Sequence, residues 1–150
     1  MKVIILSAGQ GKRLLPATKS TPKCLLAVDG NRPALEVQLS ALVKCGLERV
    51  TVMVGFGAER VEQFLAESAP AQLEVTTRFN PFFEVSNNLA TCWTAIPEMT
   101  GDFILLNGDT LFDHAILERL LASPVAPVTL AINRKDTYDR DDMKVSLKGG

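Results

Sequence analysis

Long apolar runs are missing from this chain of 150 residues. Val3–Leu6 and Phe103–Leu106 are short stretches, far from the ~20 residues that span a bilayer, so membrane insertion is not expected. A surplus of either charge is missing too: 16 Lys and Arg stand against 17 Asp and Glu, a net charge of −1. General polyanion binders draw phosphate affinity from a basic excess, so nucleic acid is not an expected partner. Cysteine is scarce. Cys24, Cys45 and Cys92 are odd in number, widely spaced and form no C-x-x-C pair, which argues against a disulfide framework or a zinc site and fits a reducing cytoplasm. With His114 as the only histidine, the sequence offers no Ser/His/Asp or Cys/His constellation. The first residues read as a strand and not as a secretory leader. Met1-Lys2-Val3-Ile4-Ile5-Leu6 begins like one, but Gly9, Gln10, Gly11, Lys12 and Arg13 interrupt it before an apolar region is complete.

The composition is that of a globular domain, with 47% apolar and 22% charged residues. A chain of this length buries about 70% of its unfolded surface, enough for one core. Two periodicities alternate along it. Apolar runs at Val3–Leu6, Val50–Val54, Leu73–Thr77, Phe103–Leu106 and Val128–Ile132 mostly lack polar alternation, which predicts strands buried on both faces of a parallel sheet. Helical spacing groups Leu35, Leu39, Leu42 and Val43; Val61, Phe64 and Leu65; Leu89, Cys92, Trp93 and Ile96; and Leu117, Leu120 and Leu121. On that spacing Cys92 and Trp93 read as core. Gly46 is placed to end the first helix, with Ser86 and Asp113 placed to cap the third and fourth. Strand–helix alternation predicts an α/β three-layer sandwich around a mostly parallel, Rossmann-like sheet. No repeat or linker divides residues 1–150, which read as one domain.

Ligands of open α/β sheets bind beyond the carboxyl ends of the strands. The first run leads directly into L-S-A-G-Q-G-K-R-L-L-P, residues 6–16. Gly9 and Gly11 permit a sharp turn that offers backbone N–H groups to an anion. A dinucleotide fingerprint would need glycine where Leu14 stands, and its acidic residue has only Asp29, beside Gly30 in a turn, as a candidate. A Walker A loop would need another glycine ahead of Gly11-Lys12. Lys12 and Arg13 instead lie inside the loop, and Thr21-Pro22-Lys23 adds a third cation, a set suited to a triphosphate. An ordinary strand–helix turn with solvated basic residues is the competing reading. The fourth run ends in Asn107-Gly108-Asp109. A carboxylate there suits Mg²⁺, which takes one or two carboxylates plus phosphate oxygens and water. Asp113 reads as a helix cap and His114 as surface.

The run G-Q-G-K-R-L-L-P followed by T-P-K-C-L-L resembles the signature of the nucleotidylyltransferases, which join a nucleoside triphosphate to a sugar phosphate or alcohol phosphate. The likeness extends along essentially the whole chain. It implies the nucleotide-diphospho-sugar transferase type of fold. It also implies Arg13 and Lys23 on the phosphates, with Leu6, Ala8, Gly9, Gln10, Gly11 and Lys12 lining the nucleotide. Asn107 and Gly108 lie beside it, and Asp109 is the metal ligand. Asn80-Pro81-Phe82-Phe83-Glu84-Val85-Ser86-Asn87-Asn88 reads two ways by residue type. It is either a reader of a base edge or acceptor, or a structured loop in which Asn80 starts a turn and Phe82 packs underneath. Its N-P-F-aromatic start and Ser-Asn-Asn end look most like the branch that makes CDP-activated alcohols, the phosphocholine, inositol-phosphate and phosphonate cytidylyltransferases. That implies Asn80, Ser86, Asn87 and Asn88 as nucleotide or acceptor contacts. The stretch from Arg134 to Lys144 reads as a solvated loop; the family's counterpart of Lys144 lies near the acceptor phosphate, which makes Lys144 the acceptor residue.

The expected chemistry is attack by an acceptor phosphate oxygen on the α-phosphorus of a triphosphate, with CTP favoured, Mg²⁺ as cofactor and Arg13, Lys23 and Asp109 as the catalytic residues. The acceptor is a phosphorylated small alcohol, sugar or phosphonate, and a homo-oligomer stays open. Two other readings stand beside this one: a module that holds a nucleotide or nucleotide sugar without turnover, and a sugar-1-phosphate nucleotidylyltransferase using UTP, dTTP or GTP. The family carries a second metal-binding aspartate late in its domain, and Asp141 and Asp142 come too early for it. Met143–Leu147 reads as a strand entering a hairpin at Lys148-Gly149-Gly150. The expected unit is therefore the nucleotide-binding half of the family's domain, incomplete on its C-terminal side.

Overall fold

Strand β1 (Lys2–Leu6) runs through the middle of a parallel sheet, and its continuous apolar run follows from that position. A computed structural model describes residues 1–85, 87–138 and 144–146. A small antiparallel pair, β2 (Ala27–Asp29) and β3 (Arg32–Pro33), turns at Gly30 and leads into α1 (Ala34–Lys44). Then follow β4 (Arg49–Val54), α2 (Ala58–Ser68), β5 (Glu74–Phe79), α3 (Asn88–Thr94), β6 (Phe103–Asn107) and α4 (His114–Leu121). The main sheet has the order β5-β4-β1-β6, all parallel. Its register sets Leu6 opposite both Met53 and Asn107, so the loops after β1, β4 and β6 open at one edge.

The two faces of the sheet are covered unequally. Val3, Ile5, Val50, Val52, Val54 and Ile104 pack beneath Leu35, Leu39 and Leu42 of α1, Val61 and Leu65 of α2, and Leu117 of α4. The opposite face holds a small cluster of Ile4, Leu6, Met53 and Ala95, with Cys92 and Met99 against it. Gly46, at φ 69, follows the end of α1 as expected, its N–H and that of Leu47 bonding back to Val43 O and Leu42 O. Asp113 caps α4 by accepting from the Ala115 N–H at 2.8 Å. No helix among the described residues is long and apolar enough to cross a membrane. Cys24, Cys45 and Cys92 are all free thiols.

Three expectations are corrected. Val128–Ile132 forms no strand: Val128, Leu130 and Ile132 are 75%, 63% and 50% exposed, and among the described residues β6 pairs with β1 alone. β-branched residues favour a strand only where a neighbour supplies the ladder and a packed face. The cap of α3 is Asn87, whose side chain accepts from Leu89 N and Ala90 N; Ser86 lies outside the described residues. Finally, Leu89 and Trp93 face out, 77% and 74% exposed, and Ile96 is 51% exposed. The buried stripe is instead Thr91, Ala95 and Glu98, because Thr91 bonds Asn80 and Glu98 bonds Lys2, Thr51 and Arg78. Helical period was legible there, but polar anchors chose the face. A smaller shift moves the third strand from the expected Leu73–Thr77 to Glu74–Phe79.

Candidate functional site

The site is assembled at the carboxyl edge from the loop after β1, the turn after β6 and the segment that brings Lys23. Residues 12–14 form a short helical turn entered through Gly11, whose φ of 71 is a left-handed conformation that few side-chain-bearing residues adopt. The loop is braced from within: Thr18, fully buried, donates its hydroxyl to Gly11 O at 3.0 Å, and Gln10 Nε2 reaches Thr18 O at 3.4 Å. Outside, the space at Gly9 is open, with no atom within 4 Å of where a Cβ would stand. Among the described residues no backbone carbonyl takes the N–H of Gly9, Gln10 or Gly11. Such a row of uncommitted amides is suited to an anion.

Lys23 starts the turn Lys23–Leu25, and its stem packs against Gly11, 3.1 Å from where a Cβ would sit. Its Nζ meets Asp109 Oδ2 at 2.5 Å, joining the loop side of the site to the turn after β6. Burial pushes the neighbouring Cys24 thiol up to about 11, so it is no thiolate nucleophile at neutral pH. Gly108 is needed for close approach: a Cβ there would fall 1.9 Å from Ser7 Oγ and 2.7 Å from Leu6 O. Its N–H donates to Leu6 O at 2.8 Å, which locks Asn107-Gly108-Asp109 against the end of β1. Asn88 Nδ2 reaches Asn107 Oδ1 at 3.3 Å, so α3 touches the same turn.

The candidate residues thus separate by position. Leu6, Ala8, Gly11, Lys23, Asn88, Asn107, Gly108 and Asp109 converge through these contacts, with Gly9, Gln10, Lys12 and Arg13 in the loop between. Asn80 is fully buried, its Nδ2 on Thr91 Oγ1 at 3.0 Å and its Oδ1 accepting from Phe82 N at 2.9 Å. That side chain shapes the turn and has no face for a ligand. Asn87 likewise commits its oxygen to capping α3. Phe82 does not pack underneath, being 58% exposed; Phe83 does, meeting Phe79 edge-on at 6.0 Å. Lys144 is exposed in the short described stretch 144–146, which forms no strand, contrary to the expectation for Met143–Leu147; Asp141, Asp142, Met143, Leu147 and the expected hairpin residues 148–150 lie outside the described residues. His114 sits half-exposed beside the Asp113 cap.

Residue-by-residue reading had missed Thr18, Gly55 and Gln38. Gly55 follows β4, and a Cβ on it would strike Phe83 Cβ at 2.5 Å and Ala8 O at 2.6 Å. Its sequence signal was the G-F-G directly after an apolar run. Gln38 announced itself only as a polar residue inside an apolar helical face.

Comparison with known proteins places this architecture. A CMP-5'-(3-aminopropyl)phosphonate synthase of Streptomyces rubellomurinus is 35% identical over 131 residues, covering 87% of this chain and 20% of that protein. A 2-aminoethylphosphonate cytidylyltransferase of Lancefieldella rimae is 39% identical over 93 residues, 62% of this chain and 36% of its own. Among solved structures, the inositol-1-phosphate CTP transferase from T. maritima superposes with a TM-score of 0.65 at 28% identity, over 78% of this chain and 46% of that one. The chain therefore spans less than half the length of each of these relatives, and it has their fold, the nucleotide-diphospho-sugar transferase type, over the part it shares. Residues 2–129 match the family described as nucleotidyl transferase, and the chain belongs to that family.

Proposed function

We propose that the chain binds a nucleoside triphosphate, CTP by preference, and transfers its CMP moiety to a phosphorylated small alcohol or a phosphonate with release of pyrophosphate. The observation that carries this reading is the Lys23–Asp109 pair set beside a row of uncommitted loop amides at the carboxyl edge of the sheet. Cation, carboxylate and amides are the three elements that a metal-bound triphosphate requires. The lean towards CTP and towards phosphonate or alcohol-phosphate acceptors rests on what the similar proteins are named for.

The donor set fits Mg²⁺. Among the described residues no group of three or more His, Cys, Asp or Glu could cage a metal, whereas Asp109 alone suits an ion completed by phosphate oxygens and water. When bound, Mg²⁺ would neutralise charge on the phosphates and orient them. The chain's own residues do the rest. Asp109 would hold the ion; Lys12, Arg13 and Lys23 offset the phosphate charge; Ala8, Gly9, Gln10 and Gly11 supply backbone contacts; and Gly108, packed against Ser7 and Leu6, brings the Asn107–Asp109 turn beside the nucleotide. Asn88, which touches the Asn107 side chain, is the nucleotide contact favoured from the middle segment, and Lys144 serves the acceptor phosphate. An acceptor oxygen forms a new bond to the α-phosphorus as the bond to the β-phosphate oxygen breaks, and pyrophosphate departs with the electron pair. The nucleophile is already anionic, so no general base is needed.

The test is pyrophosphate release with each of CTP, UTP, dTTP, ATP and GTP, paired with a panel of phosphoalcohols, phosphonates and sugar 1-phosphates. Release confined to CTP with phosphonates or phosphoalcohols is expected. Release with UTP, dTTP or GTP and a sugar 1-phosphate would overturn the CTP assignment. Nucleotide binding without release from any pair would make the chain a binding module.

A further inference from the structure

Helix α1 sends one polar side chain into its core face. Leu35, Leu39 and Leu42 are fully buried, and Gln38 among them is only 1% exposed. Gln38 Nε2 donates twice, to the main-chain carbonyl of Asn107 at 2.9 Å and to that of Thr110 at 2.8 Å. Those carbonyls bracket Gly108 and Asp109. Both are acceptors only, so the amide has a single workable orientation, and it leaves Oε1 buried without a partner among the described residues. A buried orphan oxygen is unfavourable, and packing alone does not call for one. Methionine would fill the same length without it, but would leave both carbonyls of the turn without their side-chain donor.

We propose that Gln38 is a positioning residue for Asp109. It closes across the Asn107–Thr110 turn from beneath and fixes the direction in which the Asp109 carboxylate leaves the backbone. The other ties, Gly108 N–H to Leu6 O, Thr110 N–H to Asn107 O and Asn88 to Asn107, leave the Thr110 carbonyl unheld. Among the described residues Gln38 is the one side chain that grips both ends of the turn. This inference deepens the assignment above and rests on Asp109 being the metal ligand.

The experiment compares Gln38→Met and Gln38→Glu with Leu42→Ala, a core deletion on the same helix that does not touch the turn. Two readouts are used: amide hydrogen exchange at Gly108 and Thr110, and Mn²⁺ binding to the protein–CTP complex by electron paramagnetic resonance. Gln38→Glu keeps the shape but, protonated among buried carbonyls, has one hydrogen and can hold only one end of the turn, and it serves if the methionine variant fails to fold. The Gln38 variants should speed exchange at both amides and weaken Mn²⁺ binding about tenfold, as loss of a group supporting a metal ligand does. Leu42→Ala should alter both readouts only in step with its lower melting temperature. If the Gln38 variants also follow their melting temperatures alone, the proposal is overturned. Selective exchange in the Gln38 variants, together with full Mn²⁺ binding by Asp109→Ala, would uphold the clamp and remove Asp109 from the metal site.

Discussion

Lys2 meets Glu98 on one face of the sheet, and Lys23 meets Asp109 at its carboxyl edge. The two ion pairs have similar geometry, at 2.9 and 2.5 Å, but different surroundings. Glu98 is 9% exposed in its side chain and also takes Arg78 Nε at 2.8 Å and the Thr51 hydroxyl at 3.2 Å. These donors, Lys2 and Arg78 foremost, hold its carboxyl down at about 2. Asp109 is 44% exposed, and among the described residues Lys23 is its one ionic partner. Glu98 is saturated by the fold, tying the turn Ile96–Glu98 to β1, β4 and β5. Asp109 keeps lone pairs towards solvent, and in the proposed site the exchange of its lysine partner for a cation and phosphate costs little in screened surroundings. Internal saturation, more than residue type, separates the scaffold carboxylate Glu98 from Asp109, the one proposed to take a ligand.

Removing each carboxylate in turn sharpens that contrast. Asp109→Ala should lower CTP-dependent pyrophosphate release about a thousandfold, roughly 4 kcal/mol of transition-state stabilisation, with the melting temperature nearly unchanged. Near-normal turnover would take Asp109 out of the metal role. Arg13→Ala comes next, with a loss of roughly a hundredfold in kcat/KM and an intact fold by circular dichroism, as for one lost contact to a transferring phosphate. An unfolded Arg13→Ala would make that side chain structural.

Glu98→Ala should behave in the opposite way, costing about 2 kcal/mol in denaturant unfolding because several charge-assisted hydrogen bonds vanish together. The figure stays modest because Arg78 is largely exposed and can rehydrate. The protein that stays folded should keep the kcat of the proposed reaction. Acid titration gives a finer test. The Glu98 carboxyl is depressed from an ordinary 4.5 to about 2, so its contribution to stability is full above pH 4.5 and drains away as pH falls from there towards 2. The melting temperature should decline across that window, and Glu98→Gln, which has no carboxyl to titrate, should decline less. Parallel curves for the two proteins would place the acid-sensitive group elsewhere.

Much of the fold was legible because buried parallel strands announce themselves as unbroken apolar runs, and β1, β4 and β6 lie where those runs predicted. The carboxyl-edge position of Gly9, Gly11, Lys23 and Asp109 followed from the same pattern. What escaped depends on contacts distant in sequence. The run Val128–Ile132 has strand composition but no ladder partner among the described residues. Asn80 reads as a ligand contact until Thr91, eleven residues on, is seen to take its amide. Gln38 spans 69 residues to reach Asn107. No local window holds such a bond.

The smallest predicted effect lies on the face where sequence periodicity misled. Trp93, the chain's only tryptophan, shares the spacing of Leu89, Cys92 and Ile96, yet it is 74% exposed because Thr91, Ala95 and Glu98 claimed the inner side of the helix. Truncating a core tryptophan costs about 3–5 kcal/mol, whereas a surface substitution stays within about 0.5 kcal/mol. Trp93→Gln should accordingly leave the unfolding midpoint almost unmoved. The tryptophan emission of the unaltered protein should be red-shifted and readily quenched by iodide, while Glu98→Ala, five residues on and facing inward, destabilises. A blue-shifted emission resistant to quencher would mean that this face is covered in solution. The inequality between the two faces of the sheet would then belong to the isolated chain and not to the protein at work.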